Sequence, residues 1–396
     1  MATTNFPAAR SLVLAVIGLL TCLLAPSVQA QPANDAFASA VAVTGVTGTV
    51  TGTNVAATRQ TGEPTHGIGT GNSAWWRWTP SASGPVAFSS AASAGSTVMR
   101  IYTGAAVTSL TEVASALGTT QTNTAMTFFA VASTNYYIAI DAVLGLTGAT
   151  SLTWSQTLPP ASGWWWNPNE PGRGFALEVT PISPLLTTPR IFFGSFGYED
   201  AGRAVWHVSS GIMNSVSSYS GSLDQYYGGS HLTAATTNAA RLGAVGTVTL
   251  NFTSATAGTL TWPGGTTPIR RYEFTANGLT ATPISAAPQT GWWWSAAEPG
   301  QGVFIETQGS AMQMASFMYD SAGRATWYIT QNTVTAATTY AGRLLEYAGG
   351  QSMTGAFALP GTASDRGALT VLFPTPLTAT MTLPGGRVVA LTRFNF

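Results

Sequence analysis

The sequence predicts an all-β protein: a β-sandwich block followed by two homologous small antiparallel β-barrels or sandwiches. Two observations carry this. Beyond residue 30 no stretch sustains a helical period in Leu, Glu and Lys. Instead, short runs rich in Val, Thr, Tyr, Trp and Phe alternate with Gly, Asn and Pro at the turn spacing of sandwiches and barrels, as in SAWWRWTP (73–80), TVMRIYTG (97–104), NYYIAIDA (135–142), TVTLNF (247–252) and ALTVLF (368–373). In addition, the segment GWWWNPNEPGRGF (163–175) returns as GWWWSAAEPGQGV (291–303), so the C-terminal half is built twice.

The first thirty residues read as an export signal. Arg10 gives a weakly positive start, SLVLAVIGLLTCLLA (11–25) is an apolar core too short for a membrane span, and PSVQA (26–30) ends on small residues. Cleavage after Ala30 is expected, with no insertion into the membrane afterwards. It would remove Cys22, the single cysteine, so the exported chain has no disulfide, thiol nucleophile or thiolate ligand, and packed cores must supply its stability. Every basic residue is arginine; without Arg10, fourteen face fifteen carboxylates, and no basic run exists. Clustered positive charge is what phosphate backbones and anionic membranes require, so neither nucleic acid nor a membrane surface is an expected partner. Charged residues make up only 8% of the chain, which suits an exported β-rich protein, periplasmic or extracellular, better than a cytosolic helical enzyme.

Two Pro-containing stretches, SQTLPPASG (155–163) and TANGLTATPISAAPQTG (275–291), precede the two GWWW units and divide the chain into blocks at 31–157, 162–275 and 290–396. The last two blocks correspond throughout. Glu170-Pro171-Gly172 matches Glu298-Pro299-Gly300, and Glu178 matches Glu306. Ala201-Gly202-Arg203 matches Ala322-Gly323-Arg324, and Trp206 matches Trp327. Tyr219 matches Tyr340, Gly228-Gly229 matches Gly349-Gly350, and Arg271 matches Arg393. Each copy reads as a meander of six to eight strands, with AGR and PGG hairpins, suited to a small closed barrel or sandwich.

The N-terminal block, through PANDAFASAVAV (32–43), GTNVAATRQTGEPTHG (52–67), SAWWRWTPSASGPVAFS (73–89), MRIYTGAAV (99–107) and YYIAIDAVLGLTG (136–148), resembles the bacterial pre-peptidase C-terminal type domain. That resemblance implies a jelly-roll-like β-sandwich with an accessory, non-catalytic role. The chain departs from the family where acidic residues could serve calcium: Ser96 and ALGTTQTN (116–123) stand there, and no metal is expected. The GWWW units resemble a tandem repeat of exported proteobacterial proteins, GxWWxPxExGxG followed by YDxxGxxxWY, a likeness that transfers no activity.

The residues that could carry function each have a structural alternative. On a strand, Trp164 and Trp166 share one face and Trp165 takes the other; Trp292, Trp294 and Trp293 repeat this. One face must be core. The other is either buried too or a platform for sugar rings or hydrophobic polymers, with Trp165 and Trp293 the candidates. In WWRW, Arg77 beside Trp75 suggests a wet face. Glu170 with Glu178, and Glu298 with Glu306, could be an acid–base pair for glycoside hydrolysis. Alternatively Glu170 accepts backbone N–H groups in its turn and Glu178 pairs with Arg203 or Arg271. Arg203 and Arg324 follow Glu199 and Asp320 at hairpin spacing, and Trp206 and Trp327 lie on the next strand. His66, His207 and His231 lack metal-ligand spacing, and no nucleophile motif is present. The sequence therefore points to an exported, non-enzymatic binding or accessory protein without cofactor. Its expected ligand is extracellular polysaccharide or cell-surface material, met by aromatic stacking from two sites acting together. A structural or adhesive surface protein is the alternative, and a hydrolase with an unrecognised site the third.

Overall fold

The computed structural model describes residues 29–94, 96–117, 125–235, 238–334 and 338–396. The segment read as an export signal, Cys22 included, lies outside the described residues save its last two positions, as does most of ALGTTQTN. The protein is all-β, in two compact units.

The first unit holds β1 (Val41–Val43), β2 (Thr47–Thr53), β3 (Ala74–Trp78), β4 (Gly84–Ser89), β5 (Thr97–Thr103), β6 (Thr111–Leu117), β7 (Ala125–Ala130), β8 (Tyr136–Ala142) and β9 (Ala149–Gln156). They form a five-stranded sheet, β1-β3-β8-β5-β6, and a four-stranded sheet, β2-β9-β4-β7. Trp78 meets Phe88, and Phe128 meets Tyr136, so aromatic side chains join the two inner faces. Four of the five residues of β3 are buried. Trp75, on the outer face beside the exposed Arg77, is fully covered by Phe37, His66 and Tyr102. The wet face suggested by Arg77 is thus dry at Trp75, because the loop between β2 and β3 folds over the indole.

The second unit is two closed eight-stranded barrels. The first runs β10 (Gly163–Trp166), β11 (Gly174–Val179), β12 (Arg190–Tyr198), β13 (Ala204–Ile212), β14 (Ser218–Tyr227), β15 (Ala240–Ser254), β16 (Ala257–Trp262) and β17 (Gly265–Arg271). The second runs β18 (Gly291–Trp294), β19 (Gly302–Gln308), β20 (Ala311–Tyr319), β21 (Ala325–Thr333), β22 (Thr339–Glu346), β23 (Ser364–Thr375), β24 (Thr378–Thr382) and β25 (Val388–Arg393). Each is an antiparallel meander closed by its GWWW strand, with Trp165 opposite Arg271 and Trp293 opposite Arg393. Closure removes the sheet edges that a short meander would otherwise leave unpaired. The AGR hairpins turn at Gly202 and Gly323, whose φ angles of 79° and 78° favour glycine.

Barrels of this size are filled by side chains. Trp165 points into the first barrel among Phe175, Phe193, Leu250 and Trp262, and Trp293 into the second among Met314, Tyr340, Val371 and Phe373. The two indole N–H groups donate to Ala161 O and Gln289 O, each at 3.1 Å.

A third apolar layer lies outside both interiors and joins the barrels: Trp164, Ala176, Tyr198 and Trp206 from the first against Trp292, Phe304, Phe317, Tyr319 and Trp327 from the second. Its polar ties come in reciprocal pairs. Glu306 binds the Arg271 guanidinium and accepts Trp164 N–H at 2.7 Å; Glu178 binds Arg393 and accepts Trp292 N–H at 2.6 Å. Trp206 Nε1 donates to Met318 O at 2.9 Å and Trp327 Nε1 to Gly197 O at 3.0 Å. The Gly228 N–H reaches Gly323 O at 2.8 Å, and the Gly349 N–H reaches Gly202 O at 2.7 Å. Such an exchange of identical contacts has the logic of a two-fold dimer interface, built within one chain by duplication.

The interface also accounts for particular glycines. A Cβ on Gly163 would overlap the Arg271 guanidinium, and one on Gly291 the Glu178 carboxylate. A Cβ on Gly350 would overlap the Tyr198 ring. Gly350→Ala is therefore expected to cost about 1–3 kcal/mol through overpacking. Urea denaturation of the full-length chain checks this; an unchanged midpoint would mean that the loop yields freely.

Candidate functional site

The reciprocal packing leaves two related grooves, each between the GWWW strand of one barrel and the β12–β14 or β20–β22 face of the other. The first has a volume of about 940 Å³. It is lined by Trp164, Trp166, Arg173, Phe196, Tyr198 and Tyr272 on one side, with Gln313, Trp327, Asn332, Arg343 and Tyr347 on the other. The second has about 240 Å³ and is lined by the matching residues Trp292, Trp294, Gln301, Phe317, Tyr319 and Phe394 with Phe192, Trp206 and Tyr226.

Local sequence explains the difference. Phe192 occupies the position of Gln313, and its ring packs on Trp292, Phe394 and Phe396 at centroid distances of 4.8, 5.8 and 5.6 Å. The second groove is filled from within. In the first, glutamine replaces the plug and space remains. Trp166 stands half-buried at its edge, with the Tyr272 ring against it at 5.0 Å and the Arg270 guanidinium 6.0 Å from its centroid. Apolar and aromatic walls with a few placed amide and guanidinium groups are the general make-up of ligand pockets.

The residues singled out from sequence fall in several places. Trp165 and Trp293 are 1% and 0% exposed inside the barrels, so neither can stack on a polymer. The alternation of side chains was readable, but which face closed into a barrel depended on strands far along the chain. Trp206 and Trp327 are buried at the barrel–barrel layer, their indole N–H groups spent on the opposite barrel. Glu170 holds Arg173 rather than backbone N–H groups; the turn is instead supported by Asn167, whose Oδ1 accepts Asn169 N–H at 3.0 Å. Glu298 holds Arg387 and accepts Gln301 Nε2 at 2.8 Å. Glu178 pairs with Arg393, not with Arg203 or Arg271, because its partner comes from the other repeat. All four glutamates of the possible acid–base pairs are thus committed to arginines. Arg203 binds Glu199 and crosses to Ala325 O at 2.6 Å, while Arg324 binds Asp320. Trp75 is buried and Arg77 exposed in the first unit, each outside the grooves. The groove residues missed, Trp166, Tyr272, Gln313 and Arg343, had a signal in the sequence: several are places where the two copies differ.

A further titratable cluster lies away from the grooves. In the first unit His66 Nδ1 lies 3.4 Å from Asp141 Oδ2, and Ser73 Oγ donates to Glu63. Asp141 also accepts N–H groups from Gly71 at 3.1 Å and Asn72 at 2.8 Å. Ser73 and His66 are fully buried, so this network braces the loop over Trp75 and presents no nucleophile to solvent. Among the described residues no three His, Cys, Asp or Glu side chains come together as a metal site.

His207, on β13, is buried, and desolvation lowers its pKa from 6.5 to about 4. Between these values the unfolded chain takes up a proton that the folded chain does not. Stability is therefore full above pH 6.5 and declines as the pH falls toward 4, by about 3 kcal/mol in total. His207→Tyr, which installs the residue of the second copy, should blunt the acid-induced fall in melting temperature. An equal fall in both proteins would show that His207 does not set it.

No protein-family model matches this chain, and no curated protein is significantly similar to it.

Proposed function

We propose that this chain is an exported, non-enzymatic binding protein whose paired barrels recognise extracellular polysaccharide or related cell-surface material in the open groove beside Trp166. One observation carries the reading: of two grooves made by the same duplicated scaffold, one is plugged by Phe192 and the other is kept open by Gln313 at the equivalent position. The exposed part of Trp166, with Tyr272 and Tyr347, offers faces for the C–H surfaces of sugar rings, and Asn332 and Arg343 offer hydrogen bonds.

Trp166→Ala is expected to weaken binding of a recognised polysaccharide by about tenfold or more while leaving the fold intact, since this ring lies outside both barrel interiors. Calorimetric titration of the full-length chain against a panel of soluble polysaccharides reads the affinity, and circular dichroism the fold. Undiminished binding by a folded Trp166→Ala protein would place the site elsewhere.

A further inference from the structure

Comparison of the two copies shows which arginines they share and which they do not. Arg271 and Arg393, which tie the barrels together, recur in both copies, whereas Arg387, which reaches His231 O at 2.8 Å and Leu232 O at 3.2 Å in the first barrel, stands where the first copy has Thr266. Three arginines about the open groove do not recur. Arg173 lines it where the plugged groove has Gln301, and Arg343 lines it where the other copy has Ser222. Arg270 pairs with Trp166 across the barrel closure, where Thr392 pairs with Trp294. Among the described residues no Asp or Glu lines either groove. Arg173 and Arg343 each have a carboxylate behind them, Glu170 and Asp365, whereas Arg270 is exposed and lies over Trp166 with no ion pair among the described residues.

From this we infer that the open groove takes an acidic polysaccharide, a chain of uronic-acid type whose carboxylates meet Arg270 and Arg343 while its rings lie against Trp166 and Tyr272. The inference rests on the reading of that groove as the polysaccharide site and adds the charge of its ligand. Arg270, with no ion pair among the described residues, leaves a guanidinium at the Trp166 edge to attract an anion, and its hydrogen bonds to carboxylate are stronger than those to neutral hydroxyls. Arg173 makes no direct contact and adds little net charge, being buried against Glu170 and over the Trp262 ring at 5.2 Å.

The test is calorimetric titration of the full-length chain with polygalacturonate, alginate and hyaluronate, each beside its fully methyl-esterified form. The expected result is binding of at least one free acid, weakened about tenfold or more by esterification and weakened further by added salt. Arg270→Gln and Arg343→Ser, both at exposed positions, should each lower that affinity about fivefold without changing the melting temperature. Equal affinity for acid and ester, or full affinity in both arginine variants, overturns the acidic ligand and leaves a polysaccharide groove standing. Binding of neutral polysaccharides alone does the same. Binding of no polysaccharide of either kind overturns both readings.

Discussion

Glu306→Ala should destabilise the barrel unit by about 3–5 kcal/mol, the range for removing one partner from a buried ion pair. Glu306 and Arg271 are both almost wholly buried, and Arg271 Nη1 also donates to Trp164 O at 2.7 Å. Without the carboxylate, a guanidinium and the Trp164 N–H are left in an apolar layer with no acceptor of equal strength. Glu178→Ala removes the reciprocal tie and should cost less, since Glu178 retains some exposure. A double substitution, Glu306→Ala with Arg271→Met, should recover part of the loss by removing the stranded charge. Urea denaturation followed by tryptophan fluorescence gives all three values. A loss below about 1 kcal/mol for Glu306→Ala would place this pair with ordinary surface ion pairs and refute its role as a tie.

Trp293→Ala should have an effect of similar size, about 3–5 kcal/mol, for a different reason: it empties an indole-sized space in a closed barrel that cannot collapse to fill it. The ring is enclosed by Met314, Tyr340 and Phe373, with Arg393 over its face at 5.9 Å. Trp294→Ala, one residue on but outside the barrel, should cost much less. The contrast is read from the two denaturation midpoints. Comparable losses would mean that the triplet does not alternate between interior and exterior. A ligand titration on Trp293→Ala would report unfolding rather than recognition, which is why Trp166 is the residue to test for binding.

The legibility of this protein varied with the range of the interactions involved. The all-β class, the meander of each repeat and its AGR and PGG hairpins depend on neighbours in sequence, through side-chain alternation and turn geometry, and they were readable. So was the single-face sharing of Trp164 with Trp166. The partners of Glu178 and Glu306 were not, because correspondence between repeats shows which residues recur but not that each copy reaches into the other. A glutamate paired with its own copy's arginine and one paired across the interface produce the same repeated letters.

The candidate site shows the same division. By itself the sequence determined the strand class, the duplication and the list of positions where the copies differ, among them Phe192 against Gln313 and Ser222 against Arg343. Only the tertiary structure decided that these differences surround one groove, that Trp165 and Trp293 are interior, and that the shared motifs serve barrel pairing. The physical reason is that strand alternation is a local property of the backbone, whereas barrel closure and the packing of one barrel on another bring together residues a hundred or more positions apart.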